Sequence, residues 1–227
     1  MADPTVSLAL ANAGFVGTHF LMSHPLRAGM VKTLGEKGFL GVYSLVSLAF
    51  LVWVVLAFRA AEPFPLLWNG PNTVIWIVAS LLTILALVLL LGSLRGNPAL
   101  PETTDSAVAS AEATGVFKVT RHPMMWGFGL WALSHILVWP SPRTLITASA
   151  MGVLALVGAH LQDRKKERLL GGAWQGWEAK TNFWPKIGEL GSIGWRAWLH
   201  GIAAWLVVTW FHGWIGNMPV GAFRWIG

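Results

Sequence analysis

An all-α, polytopic membrane fold is predicted by three observations. Hydrophobic residues make up 55% of the 227 and charged residues only 11%, where a soluble domain carries about 25% charged; mean hydropathy is +0.58. Residues 4–26, 38–58, 63–94, 122–142, 144–162 and 197–223 contain no Asp, Glu, Lys or Arg. Each stretch meets or approaches the roughly 20 residues a helix needs to cross about 30 Å of hydrocarbon. The basic residues, finally, gather in alternate loops.

Those loops, after the first, third and fifth predicted helices, hold 13 of the 16 Lys and Arg residues, leaving Arg59, Arg143 and Arg224 for the opposite side. The positive-inside rule then places both termini outside the cytoplasm, in a multi-pass protein of the cell inner membrane. The net charge of +6 is therefore topological, with the lipid bilayer rather than nucleic acid as the partner. The absence of cysteine excludes disulfides, thiolate nucleophiles, iron–sulfur clusters and thiolate haem ligands. No internal repeat or low-complexity tract divides the chain, so residues 1–227 read as one transmembrane domain.

The first helix, Val6 to Met22, has Asn12 and His19 within its apolar run and no basic residue before it, which makes it a span rather than a cleavable signal. Its Gly14, Gly17, Thr18 and Ser23 suit close packing inside a bundle. After a Gly-punctuated link come Phe39–Phe58 and Thr73–Leu94, apolar on nearly every side and expected to face lipid. Residues 98–114 read as a loop with a short surface helix over Ala107–Ala113. The fourth helix begins at Pro123, where a missing N–H costs nothing, and stops before Pro140; the fifth runs from Leu145 to Leu161 and continues past the membrane to Leu170. Gly171 to Trp195 contains Trp174, Trp177, Trp184 and Trp195, which suits an interfacial anchor or a cover over a cofactor. The sixth helix spans Ala197–Trp214.

Chemistry concentrates in Thr120–His135. Along that helix Gly127, Trp131, His135 and Trp139 fall at i, i+4 steps on one stripe. Such a stripe offers a slot for a planar macrocycle, or else a tight helix contact. Arg121 lies nearly in line with His135 but about 20 Å lower at 1.5 Å per residue, placed for an anionic group at the cytoplasmic surface, whereas His122 turns to another face. His19, His135, His160 and His212 lie at membrane depth, where an ionisable group is costly and points to function. No carboxylate lies in any span, which disfavours a dinuclear oxygen-ligand metal site and a cation pump. Neutral imidazoles beside aromatic walls fit haem.

The run Thr120-Arg121-His122-Pro123, with Met125, Gly127, Trp131 and His135, then Gly158, His160-Leu161 and Asp163-Arg164, resembles the NnrU family, relatives of the 15-cis-ζ-carotene isomerases. Thr18-His19, Ser23, Arg27 and Gly35-Glu36 extend the resemblance over nearly the whole chain. The resemblance implies a membrane-embedded haem b, in a protein that isomerises a polyene or serves denitrification-linked nitrogen-oxide metabolism. Carried over, the axial ligands are His19 and His135, with His160 as an exchange ligand and a hydrophobic small molecule as substrate. Upright helices, however, put His19 and His135 roughly 10 Å apart in depth, whereas opposing axial nitrogens need about 4 Å, two bonds of ~2 Å each. His135 with His212 is the better match in depth.

Arg121-His122-Pro123 with Gly127, then Glu167, Leu170-Gly171 and the region of Trp174 and Trp177 up to Pro185, also resembles the isoprenylcysteine carboxyl methyltransferases. That resemblance implies S-adenosylmethionine held at the cytoplasmic face. Trp174 and Trp177 stand where that family has tyrosines.

Overall fold

The computed structural model describes residues 3–100, 103–216 and 218–226, and each predicted span is a helix in it. Helices α1 (Pro4–Ser23), α2 (Arg27–Ala60), α3 (Thr73–Gly92), α4 (Asp105–Ala109), α5 (Val116–Val119), α6 (Pro123–Val138), α7 (Pro142–Leu170), α8 (Gly172–Lys180) and α9 (Trp195–Gly216) follow in order. Short 3-10 turns occupy Ile187–Ile193 and Gly221–Arg224. Among the described residues, four helices, α1, α2, α3 and α7, are long and apolar enough to cross a membrane, while α6 is a shorter apolar helix of 16 residues. The protein is thus an all-α, multi-pass membrane protein.

Local chemistry sets the starts of the long helices. The Asp3 side chain accepts from Thr5 N at 2.7 Å ahead of Pro4, Asn72 accepts from Ile75 N at 3.0 Å, and Ser141 accepts from Thr144 N at 3.4 Å ahead of Pro142. Each supplies an acceptor to an N–H that the first helical turn leaves unpaired.

Helix α7 packs between α1 and α6; α6 packs on α3, and α3 on α9, while α2 lies against the other side of α1. The order in space is therefore α2, α1, α7, α6, α3, α9. It separates α2 from α3, so residues 61–72 cross the ends of the intervening helices. That strap is held by Leu67 N donating to Pro140 O at 3.0 Å, the Trp68 indole donating to Leu137 O at 3.1 Å, and Arg224 donating to Pro71 O at 3.0 Å.

The structure corrects several sequence expectations. Helix α3, expected to face lipid, does so on one side, where Val74, Ile77 and Leu81 are exposed, and on the other buries Trp76, Ala79, Ala86, Val88 and Leu89. A uniformly apolar sequence has no preferred face, so packing partners alone select one. Helix α2 does face outward, with Leu45, Leu48 and Leu56 exposed. The link ahead of Phe39 is helical from Arg27, interrupted at Gly35, whose φ of 70° requires glycine. The surface helix forms at Asp105–Ala109 rather than Ala107–Ala113, since Thr104 caps it through Ala107 N at 3.3 Å. Trp174 and Trp177, expected at the headgroups, are 0% and 1% exposed in a core with Val88, Val116, Phe117 and Ile193. Trp184 and Trp195, at 70% and 69%, keep the interfacial position.

Candidate functional site

At the end of the bundle that bears the basic loops, four charged groups converge. His122 is the N-cap of α6 and 2% exposed; its Nε2–H donates to Asp163 Oδ1 at 2.7 Å. Asp163 lies on α7 just past the apolar run, and its Oδ2 accepts from Arg121 Nε at 2.9 Å and Nη2 at 2.6 Å. Arg121 also reaches Glu178 of α8 at 3.2 Å and stacks over the Phe183 ring at 5.6 Å. A carboxylate can only accept, so the bond fixes the proton on His122 Nε2 and leaves Nδ1 for another partner. Among the described residues, Nδ1 is buried and has none. Burial raises the Glu178 carboxyl above the usual carboxylate range, against the opposing pull of Arg121.

Backbone clips hold this cap. Arg121 N donates to Asn182 O at 2.7 Å and Lys186 N to Val119 O at 2.8 Å. The Phe183 carbonyl accepts both from the Thr120 hydroxyl at 2.7 Å and from the Trp126 indole at 2.9 Å. The anion that Arg121 was expected to meet at the surface is therefore internal. Asp163 and Glu178 escape a search confined to the predicted spans. The available signal was position: Asp163 is the first charge after residues 144–162 and so falls at the membrane boundary.

The histidines at depth fall into separate places. His19 Nδ1–H donates to Phe15 O at 2.7 Å, its Nε2 faces the Ser47 hydroxyl at 3.4 Å, and its ring lies 4.3 Å from that of Phe15. His135 Nδ1–H donates to Trp131 O at 2.8 Å, with the Trp131 ring 4.3 Å away. His19 sits about 6 Å above the basic end of α1 and His135 about 18 Å above that of α6, at 1.5 Å per residue, and α7 stands between the two helices. They do not face one another. His160 is exposed beside Phe183. His212 lies near the far end of α9, the end of the bundle to which His135 also belongs, and its Nδ1 is buried with no partner among the described residues. Gly127 marks a tight helix contact: a Cβ there would lie 2.7 Å from Ala86 O of α3.

This arrangement has a counterpart among known sequences. The chain matches the family described as NnrU protein over residues 7–220. It belongs to the NnrU family. No curated protein and no solved structure gives a significant match.

For the NnrU-family chain, the haem expected from the sequence resemblance can be tested against the residues present. Among the described residues no three His, Cys, Asp or Glu side chains converge as metal ligands, but a haem asks for only one or two. His19 with His135 does not fit a single macrocycle, for the reasons of depth and of the intervening α7. His135 with His212 is closer in depth, about 18 Å against about 26 Å at 1.5 Å per residue, with α3 between their helices. The Nδ1–H of His135 is tied to a backbone carbonyl, the outer-shell bond that orients a ligating imidazole, and His212 brings an orphaned ring nitrogen to the same end.

Proposed function

We propose that this NnrU-family membrane protein holds haem b at the far ends of α3, α6 and α9, where His135 and His212 would bind it. The observation that carries the proposal is the His212 Nδ1, buried with no partner among the described residues, at the same end of the bundle as a His135 whose own Nδ1 is committed to Trp131 O at 2.8 Å. A haem there would supply one-electron chemistry. The chain's own part is to fix the His135 tautomer through Trp131 O and to keep water away with apolar walls.

An apolar groove of about 400 Å³ between α6 and α7, lined by Gly129, Ala132, Ile136, Ala148 and Gly152, suits a hydrophobic substrate. The test is a visible spectrum after haem-replete expression in a bacterial inner membrane. A Soret band is expected in the wild type and in His19→Ala, with loss or a large shift in His135→Ala and His212→Ala. A wild type without the band removes the proposal, and loss in His19→Ala restores the pair the family resemblance implied.

The second reading, S-adenosylmethionine-dependent methylation at the basic end, draws on the unpartnered His122 Nδ1 and the unpartnered indole N–H groups of Trp174 and Trp177. It is the weaker one, because Arg121 is already neutralised by Asp163 and Glu178, and both indoles are packed into the core. Calorimetry in nanodiscs checks it: saturable heat on adding S-adenosylmethionine supports methylation, and none dismisses it.

A further inference from the structure

Arg121 is committed to internal carboxylates, but a second group of cations at the same end is not. Gly158 of α7 faces Phe20 of α1, where a Cβ would lie 3.8 Å from the phenyl ring. Seven residues on, Lys165 returns to that face about 10 Å farther along. On the parallel α1 the same travel from Phe20 leads past Ser23 to His24 and the start of α2 at Arg27. Lys165 therefore looks onto His24 and Arg27, and Arg168, one turn on, extends the row; their charges act on one another across the turn.

Glu36, the carboxylate that acts on Lys165, already accepts from Arg27. Lys165 is half-buried and, among the described residues, has neither a hydrogen bond nor an ion pair. The carbonyl end of α1 favours a nearby cation by its dipole, which accommodates one charge and not a row of them. Burial first, and then Lys165 and Arg168, hold His24 below the ordinary imidazole range. Leu26 and Leu169, 50% and 58% exposed, flank the cations with apolar surface. Cations edged by exposed leucines at the end of a transmembrane bundle match a phosphate attached to acyl chains.

We propose that Lys165 and Arg168, with His24 and Arg27, form a binding site for the phosphate of an anionic phospholipid in the cytoplasmic leaflet. The site is separate from the far-end histidines and does not depend on haem.

The test is native mass spectrometry of the full-length protein released from nanodiscs of equal parts phosphatidylglycerol and phosphatidylcholine. Wild type should retain phosphatidylglycerol preferentially, and Lys165→Gln with Arg168→Gln should lower that preference by about fivefold for each charge removed. Lys165→Arg should keep it, as should a control pair, Lys32→Gln with Lys37→Gln. Should the double variant not purify, Lys165→Gln alone is measured, and loss is still expected. The inference is overturned if the preference survives the double variant, or if the control pair lowers it equally, which would mark a general surface effect. It is also overturned if inorganic phosphate displaces the adduct at comparable concentration, since the ligand would then be a free anion and not a lipid.

Discussion

Removing the Asp163 charge leaves the Arg121 guanidinium and a ring N–H of His122 facing a neutral side chain in a site only 5% exposed. An uncompensated charge of this kind costs about 3–5 kcal/mol, so Asp163→Asn should lower the unfolding midpoint in detergent well below that of the wild type. Glu178→Gln should cost far less, since Glu178 is more exposed and contacts Arg121 at 3.2 Å through one atom. The pH dependence has a definite sign. Burial raises the Glu178 carboxyl, so its stabilising contribution is complete below the unfolded carboxyl value of about 4.3 and is lost as pH rises through its raised value. Melting curves of wild type and Glu178→Gln should therefore diverge with rising pH, the wild type losing ground; parallel curves would contradict this. The residues of this cap were half legible. Arg121 and His122 stood out as a basic cap, but their partners come from α7 and α8, 41 to 57 positions along the chain, and no local pattern joins them.

Among the elements, α6 shows how one sequence feature admits two readings until its neighbour is known. The stripe of Gly127, Trp131 and His135 suited either a flat cofactor or a helix contact, and at Gly127 it is a contact with α3. Adding a methyl group there must push α6 off a backbone carbonyl, so Gly127→Ala should destabilise by about 1–3 kcal/mol, as overpacking does elsewhere. At Gly17 on α1 a Cβ would meet no atom within 4 Å, so Gly17→Ala should be neutral or stabilise by up to about 1 kcal/mol through helix propensity. Unfolding curves of the two variants, run together, check both. Helix ends were readable because Asp3, Asn72, Ser141 and three prolines act within a turn of the chain. The inward face of α3 was not, because every face of Thr73–Gly92 is apolar.

At the scale of the whole molecule, the lack of cysteine makes topology directly testable. Single cysteines at Thr5 and Asn69 should react with an impermeant maleimide added outside intact cells, and those at Lys32 and Lys186 only after the membrane is opened. Labelling of Lys186→Cys from outside would reverse the assigned orientation. Charge-free runs and the one-sided distribution of Lys and Arg determined by themselves that the protein is an all-α membrane protein with a basic face, because transfer into hydrocarbon is a property of each segment's composition. The spatial order α2, α1, α7, α6, α3, α9 was decided only in three dimensions, and with it the separation of His19 from His135 and the closure of Asp163 on Arg121 and His122. Helices in lipid gain nothing from apolarity when they choose a neighbour. Close packing and a few buried polar bonds make that choice, and these join residues far apart in the chain.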